Sequence, residues 1–362
     1  REGGSRRFEP VAPATIHPNA TCSEPAVGAQ TRRAGRSRAL RGMRSLAMKV
    51  ATSRSHTEPL ALLELPSRPL RKDELRVRVV AIGVNPVDWK MREGGPLHFA
   101  YSVVGPGKPF VPGIDFAGEV VEAGAGAGLA VGARVVGGTD FSRGQHGSYA
   151  TEVIVKRDQV AVVPDTVSLE HAACLPVPAV TAWMAMREHQ KIGPGDKVLV
   201  LGAAGGVGLA AMQLAKMLGA QAVGVCSGRN VALVEAEGAI AIDYTAGDAL
   251  EAARPHGPYQ VILQLVGSDV YPLGTCRSML TRTGTVEMVV SQPRDFLAIA
   301  LLPSVRTLLG APNQKRLEPL VEAMARGHLK ARIEATFPLA DAEKAHVASR
   351  TGKVVGKLLL VP

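Results

Sequence analysis

The sequence is poor in the residues that would hold a metal or a disulfide framework. Its 362 residues contain four cysteines, Cys22, Cys174, Cys226 and Cys276, the closest two fifty residues apart and none in a Cys-x-x-Cys pair. A disulfide scaffold or a four-thiolate zinc lobe needs closer grouping, so free thiols in a reducing compartment are expected. The nine histidines are scattered, with no His-x-x-x-His spacing, and isolated histidines are more often surface or satisfied core residues than ligands. No metal site is expected. Long apolar runs are also missing: Phe296 to Leu302 falls far short of the roughly 20 residues that a bilayer span requires.

Aromatic residues make up only 4% of the chain, and no basic stripe with interleaved aromatics appears. The net charge of +10 is therefore not a nucleic-acid signature. Most of it lies in residues 1–47, which hold nine arginines against three glutamates. That segment lacks hydrophobic periodicity and does not begin with methionine. Two readings stand: part of an organelle transit peptide, or upstream sequence ahead of a start at Met43 or Met48. Cytoplasmic and organellar (plastid or mitochondrial) locations both stay open. The fold is expected to begin at Met48.

What the chain has in quantity is glycine, 39 residues, with 46% hydrophobic residues, a globular composition long enough for two domains. Up to about Cys174 it reads as short β runs broken by Gly and Pro, with strands expected at 74–84, 115–123, 134–138 and 149–155. From Pro176 the period changes. Strands at 197–201, 221–226, 240–243, 260–265 and 285–290 alternate with helical or loop segments, and Leu209 to Leu218 reads as a helix, which argues for a doubly wound parallel sheet. Residues 353–361 return to strand character. The expected α/β fold is thus a β-barrel domain, 48–174 with 336–362, interrupted by a Rossmann domain at 175–335.

The strongest local signal is Val198 to Gly208 (VLVLGAAGGVG). Gly202, Gly205 and Gly208 depart by one residue from strict GxGxxG spacing, yet they join a buried strand to an apolar-faced helix. There a glycine ends the strand, backbone N–H groups approach a pyrophosphate, and the last glycine packs helix on sheet. The expected cofactor loop is Gly202, Ala204, Gly205, Gly206, Val207 and Gly208. At the end of the second strand an NAD site would carry a carboxylate for the ribose hydroxyls; here Cys226 is followed by Ser227, Gly228, Arg229 and Asn230. Ser227 can donate a hydrogen bond and Arg229 offers a fork for a 2′-phosphate, although a helix cap beside a solvated arginine is the plainer alternative. NADPH is expected over NADH.

Several segments occur in the order of one family: Asn85 to Lys90 (NPVDWK), Pro112 to Val120 (PGIDFAGEV), Leu175 to Ala182 (LPVPAVTA), the glycine loop, Gly219-Ala220, Ile242 to Tyr244 (IDY) and Gly352 to Leu358 (GKVVGKL). Together they resemble the zinc-independent quinone oxidoreductases and alkenal or enone reductases of the medium-chain dehydrogenase/reductase superfamily, whose β domain is called GroES-like. NPVDWK looks most like the plant quinone-oxidoreductase-like branch. The resemblance covers nearly all of 48–362. It implies that Asn85 lies near nicotinamide and substrate, that Lys90 matches the lysine of the enone-reductase motif, and that Thr181 contacts the nicotinamide end. It further implies an adenosine-phosphate pocket of Ser227, Arg229, Asn230 and Tyr244, with Val266 and Lys357 completing the cofactor set. Asn85 and Lys90 are the expected donors to the acceptor oxygen. Against these stand a turn at Asn85-Pro86 that Asp88 only braces, and a surface charge at Lys90.

The expected activity is transfer of hydride from NADPH to an electron-poor acceptor, a quinone or an α,β-unsaturated carbonyl, by a monomer or homodimer. An enoyl-thioester reductase and a non-catalytic NADPH-binding redox sensor are the alternatives. Two departures from the family matter. Gln264 to Gly267 (QLVG) replaces an Asp-x-Val-Gly pattern, which alters one pocket wall. Residues 295–310 are unusually apolar, read either as core packing or as a hydrophobic acceptor site or peripheral membrane contact.

Overall fold

The computed structural model describes residues 47–53 and 58–362. The expected leader lies outside the described residues, apart from Ala47. Strand β1 (Ala47–Thr52) pairs antiparallel with β2 (Ala61–Pro66). Strand β3 (Glu74–Val84) pairs antiparallel with β4 (Asp115–Ala123), which pairs with β5 (Arg134–Gly138). Beside them lie β6 (Glu152–Lys156), on β3, and β7 (Val160–Val162), on β5. The strand expected at 149–155 begins later, because Ala150 is spent on an isolated bridge to Val50.

The second sheet is wholly parallel. It comprises β8 (Lys197–Leu201), β9 (Gln221–Cys226), β10 (Ile240–Asp243), β11 (Tyr259–Gln264), β12 (Leu280–Met288) and β13 (Val305–Thr307), in the spatial order β10-β9-β8-β11-β12-β13. Val198 to Leu201 and Val261 to Leu263 are fully buried, as central strands covered on both faces must be. The order reverses between β8 and β11, which opens a crevice beyond their carboxyl ends, the place where open α/β sheets take ligands. The chain then returns. Strands β14 (Ile333–Pro338) and β15 (Lys357–Val361) pair in parallel, and β15 lies antiparallel on β3.

The first half is not all β, as the sequence pattern had suggested. Two helices, Pro86–Glu93 and Gly95–Val104, follow Asn85 directly. Pro86, read as a turn former, instead occupies the first helical position, where its missing N–H costs nothing. The Asp88 carboxylate reaches back to accept the Asn85 backbone N–H at 2.8 Å, which anchors the helix start. The apolar stretch 295–310 is only partly core. Val305 and Leu308 are buried, but the helix Asp295–Leu301 leaves Phe296, Leu297 and Leu301 exposed by 54%, 69% and 68%.

Candidate functional site

Strand β8 ends at buried Leu201, and the chain turns at Gly202 with φ +105°, a conformation open to glycine and strained for other residues. The helix Gly206–Met217 then starts without a side-chain cap. Its first N–H groups have no acceptor within the helix, so the partly positive end faces the crevice. Gly208 permits the approach of helix to strand: a Cβ there would lie 2.4 Å from the carbonyl oxygens of both Gly202 and Ala203. Ala204, Gly205, Gly206 and Val207 line the mouth, half-buried. Bare backbone, an uncapped helix start and a sheet switch point in one place fit a dinucleotide pyrophosphate.

At the end of β9, Asn230 donates to the Ser227 hydroxyl at 3.2 Å, and the Asn230 backbone N–H bonds the Ser227 carbonyl at 2.8 Å. Arg229 is exposed and spends one guanidinium N–H on the Lys353 carbonyl at 3.0 Å. Tyr244 is half exposed beside this turn, its N–H on the Cys226 carbonyl. One residue here was missed by sequence reasoning. Asp243, at the end of β10, sits against Gly228, where an added Cβ would lie 2.6 Å from the carboxylate. Hydrogen bonds from the Thr245 side chain and backbone, and from the Gly228 N–H, hold Asp243 below the usual carboxylate range. Its register opposite Cys226 would have revealed it, but only the tyrosine of the IDY segment was taken as functional.

The other side of the crevice is built from buried polar and charged side chains. The Lys357 ammonium donates to the Asn85 side-chain carbonyl at 2.7 Å and the Val84 carbonyl at 2.8 Å, and lies 3.4 Å from Asp115. The Asn85 amide donates to Asp115 at 2.9 Å and to the Gly83 carbonyl at 3.3 Å. The second Asp115 oxygen accepts the Val177 N–H at 2.9 Å, from the helix Pro176–Trp183 that carries Thr181. Burial pushes the Asp115 carboxyl up, against the pull of Lys357. Behind Asn85, Tyr149 donates to Asp88 at 3.2 Å, and His346 lies 3.1 Å from the Tyr149 hydroxyl. Burial raises Asp88 to about 7 and lowers His346 to about 3.

Three of the residues expected at the site already have partners within the protein. Both amide hydrogens of Asn85 already have protein acceptors, so it presents no free donor to an acceptor oxygen. Lys90 does not join Asn85: it is half-buried, with its ammonium 5.6 Å from the Trp89 ring centre. The Lys357 ammonium is buried under the glycine loop and committed to the Asn85 cluster rather than turned toward a phosphate. Thr181 is buried, and a Cβ at Gly310 would lie 2.3 Å from its hydroxyl. Val266 flanks the glycine turn, its side chain 3.2 Å from where a Gly202 Cβ would stand. Gln264 explains the departure from Asp-x-Val-Gly: its carbonyl accepts the Val266 and Gly267 N–H groups while its amide donates to the Tyr271 carbonyl. A carboxylate could not make the last bond.

Among the described residues, no group of three or more His, Cys, Asp or Glu side chains is gathered as a metal would need, and no helix is long and apolar enough to cross a membrane. Two family models match the chain: an alcohol dehydrogenase GroES-like domain over residues 71–165 and a zinc-binding dehydrogenase domain over 235–360. The chloroplastic quinone-oxidoreductase QR1 of Triphysaria versicolor is 31% identical over 321 residues, 83% of this chain and 93% of the relative. A trans-enoyl reductase, pgmF, of Aspergillus terreus is 29% identical, over 81% of this chain and 88% of the relative. A quinone oxidoreductase structure from Coxiella burnetii superposes with a TM-score of 0.78 at 30% identity, covering 87% of this chain and 99% of its own.

Proposed function

The chain belongs to the medium-chain dehydrogenase/reductase superfamily, among the homologues of quinone oxidoreductases, and from that premise we propose that it is an NADPH-dependent reductase of quinones or α,β-unsaturated carbonyls. That it is an oxidoreductase with a pyridine-nucleotide fold follows from the family. The preference for NADPH is carried by one observation: the turn Ser227–Asn230 bears a hydroxyl, an exposed guanidinium and an amide, and no carboxylate. Asp243, at the end of the neighbouring strand β10, is occupied in bracing that turn.

When bound, the nicotinamide supplies the hydride. The residues of this chain do the rest. The uncapped start of the helix Gly206–Met217 holds the pyrophosphate, and Ser227, Arg229 and Asn230 hold the 2′-phosphate. Thr181 and Val266 bound the nicotinamide end. Because both amide hydrogens of Asn85 are already bonded within the protein, orientation rather than acid catalysis carries the rate, which suits an acceptor that is already electron-poor. Relatives named quinone oxidoreductase and trans-enoyl reductase support that acceptor class. The chloroplastic relatives and the arginine-rich residues 1–47 support an organellar address.

The test is Arg229→Ala with both cofactors. Loss of a charge-assisted hydrogen bond costs about 1.5–3 kcal/mol, so NADPH should bind roughly ten- to a hundredfold more weakly while NADH changes little. Fluorescence titration reads both constants. Equal affinity of the wild-type protein for NADPH and NADH refutes the preference, and turnover with neither a quinone nor an enone refutes the reductase.

A further inference from the structure

Lys357 touches more of the site than its expected role would require. Gly356, immediately before it, donates its N–H to the Ala204 carbonyl at 2.9 Å and bridges Gly205, so the start of β15 is bonded to the glycine loop itself. The lysine stem then passes beneath the first turn of the nucleotide helix: a Cβ on Gly206 would lie 3.0 Å from Lys357 Cδ. The ammonium ends among Asn85, Val84 and Asp115, and Asp115 in turn holds the N–H of Val177. Lys357 thus joins the glycine loop to Asn85 at the start of the helix Pro86–Glu93, and reaches the helix of Thr181 through Asp115.

We propose that Lys357 is a positioning residue, a strap that couples the glycine loop to Asn85 at the start of the helix Pro86–Glu93, so that seating a dinucleotide also rigidifies the opposite wall. The inference rests on the reading that a pyridine nucleotide binds at the glycine loop. It assigns Lys357 no contact with that nucleotide. The physical basis is a continuous chain of packed and bonded groups between two sites, each link of which is present in the structure. Any tightening of the loop around a pyrophosphate presses on Gly206 and on the strand residue bonded to Ala204. Lys357 is buried and its ammonium is bonded, so a shift of its stem is passed to the groups that the ammonium holds. Coupling of this kind is reciprocal, so a firm Asn85 wall also favours the closed loop.

Removing the cation alone would strand Asp115 as an uncompensated buried charge and could unfold the protein. The variant to use is therefore Lys357→Met with Asp115→Asn, which discards both charges at nearly unchanged volume, beside each single substitution. Hydrogen exchange is followed in peptides covering 84–93, with and without NADPH, and in parallel with NADH. In the wild-type protein, nucleotide should slow exchange there about tenfold, within the range usual for coupled sites. In the double variant the nucleotide should still bind within roughly tenfold of wild type. The slowing at 84–93 should nonetheless fall below about twofold, against the 5- to 150-fold usual for coupled sites.

Full protection of 84–93 in a variant that binds nucleotide overturns the strap. So does a folded double variant whose nucleotide affinity drops more than about a hundredfold, since that marks a direct contact. A wild-type protein that takes only NADH refutes the proposed cofactor preference, while the coupling is then read with NADH. One that takes neither refutes both.

Discussion

The two walls of the crevice are built from different material. The nucleotide wall is backbone: a strand end, a glycine turn and an uncapped helix start, all within residues 197–217. The opposite wall is side chains, with Asn85, Asp88, Asp115, Tyr149, His346 and Lys357 brought together from distant segments and all buried. A backbone wall tolerates many sequences but forbids bulk at a few points. A wall of buried charges tolerates bulk better than it tolerates a missing partner, because each group is neutralised or bonded by another. The two walls should therefore fail in different ways, and substitutions can separate them.

The largest effect is expected on the backbone wall. Gly208→Val would place its Cβ 2.4 Å from two carbonyl oxygens of the strand-to-helix turn, which no rotamer can relieve. Overpacking usually costs about 1–3 kcal/mol, and a clash with backbone rather than with a movable side chain should exceed that. Nucleotide binding should be lost or weakened by more than about a hundredfold, with a melting temperature several degrees lower. Near-normal binding by this variant would mean that the loop is not the nucleotide seat, and the comparison between the walls would collapse.

The difference in material also decided what could be read from the sequence. Glycines at 202, 205 and 208 between a buried strand and an apolar-faced helix leave a compact local signature, so the loop and five of the six parallel strands were legible, while β13 lay hidden in the apolar stretch 295–310. The charged wall has none. Asn85 and Lys357 are 272 residues apart in sequence, and nothing in either segment marks their hydrogen bond. Resemblance brought both residues into the site without indicating that they bond each other. The helices after Asn85 were missed because Pro86 serves a turn and a helix start equally well. The exposure of Phe296, Leu297 and Leu301 was unreadable because an apolar helix looks the same in a core and on a surface.

A middle-sized effect sharpens the picture of the charged wall. Asp88 has a folded pKa of about 7, above its ordinary 3.8, so it alone would make stability fall as pH rises from about 4 to 7. His346 is held neutral, with a folded pKa of about 3 against 6.5, so it alone would make stability rise from about pH 3 to 6.5. Between about pH 4 and 6.5 the two slopes oppose each other and nearly cancel. Asp115, Lys357 and Tyr149 act on the first group, and Arg92, Glu343 and Arg350 on the second. Asp88→Asn keeps an acceptor for the Asn85 N–H and removes one slope. Its stability should drop relative to wild type as pH falls below 6.5, by up to about 1.4 kcal/mol per pH unit. Urea melts at several pH values between 4.5 and 7.5 measure it. A variant with the wild-type pH profile would show that the two groups are not opposed in this way.

The smallest effect is expected at Lys90, and it tests whether the charged wall extends to the helix beyond Asn85. Lys90 shares the segment Asn85 to Lys90 with the buried cluster, and resemblance alone would make it a donor to the acceptor oxygen. In the structure its ammonium rests against the ring of Trp89, which also has Arg350 at 5.7 Å and donates its own N–H to Ser349 at 3.1 Å. That surrounding belongs to the contact between the helices Pro86–Glu93 and Ala342–Arg350 rather than to the crevice. Partial burial lowers the Lys90 pKa, with Glu93 opposing, and its cation–π contact is worth about 0.5–2 kcal/mol at a half-buried site. Lys90→Ala should then lower the melting temperature by a few degrees at most and leave kcat with a quinone and with an enone within about threefold of wild type. A true oxyanion donor would cost roughly a hundred- to a thousandfold in kcat, most visibly with the enone, which gains enolate charge as hydride arrives. A loss of that size would put Lys90 at the acceptor and require the helix Pro86–Glu93 to turn its lysine into the crevice on binding.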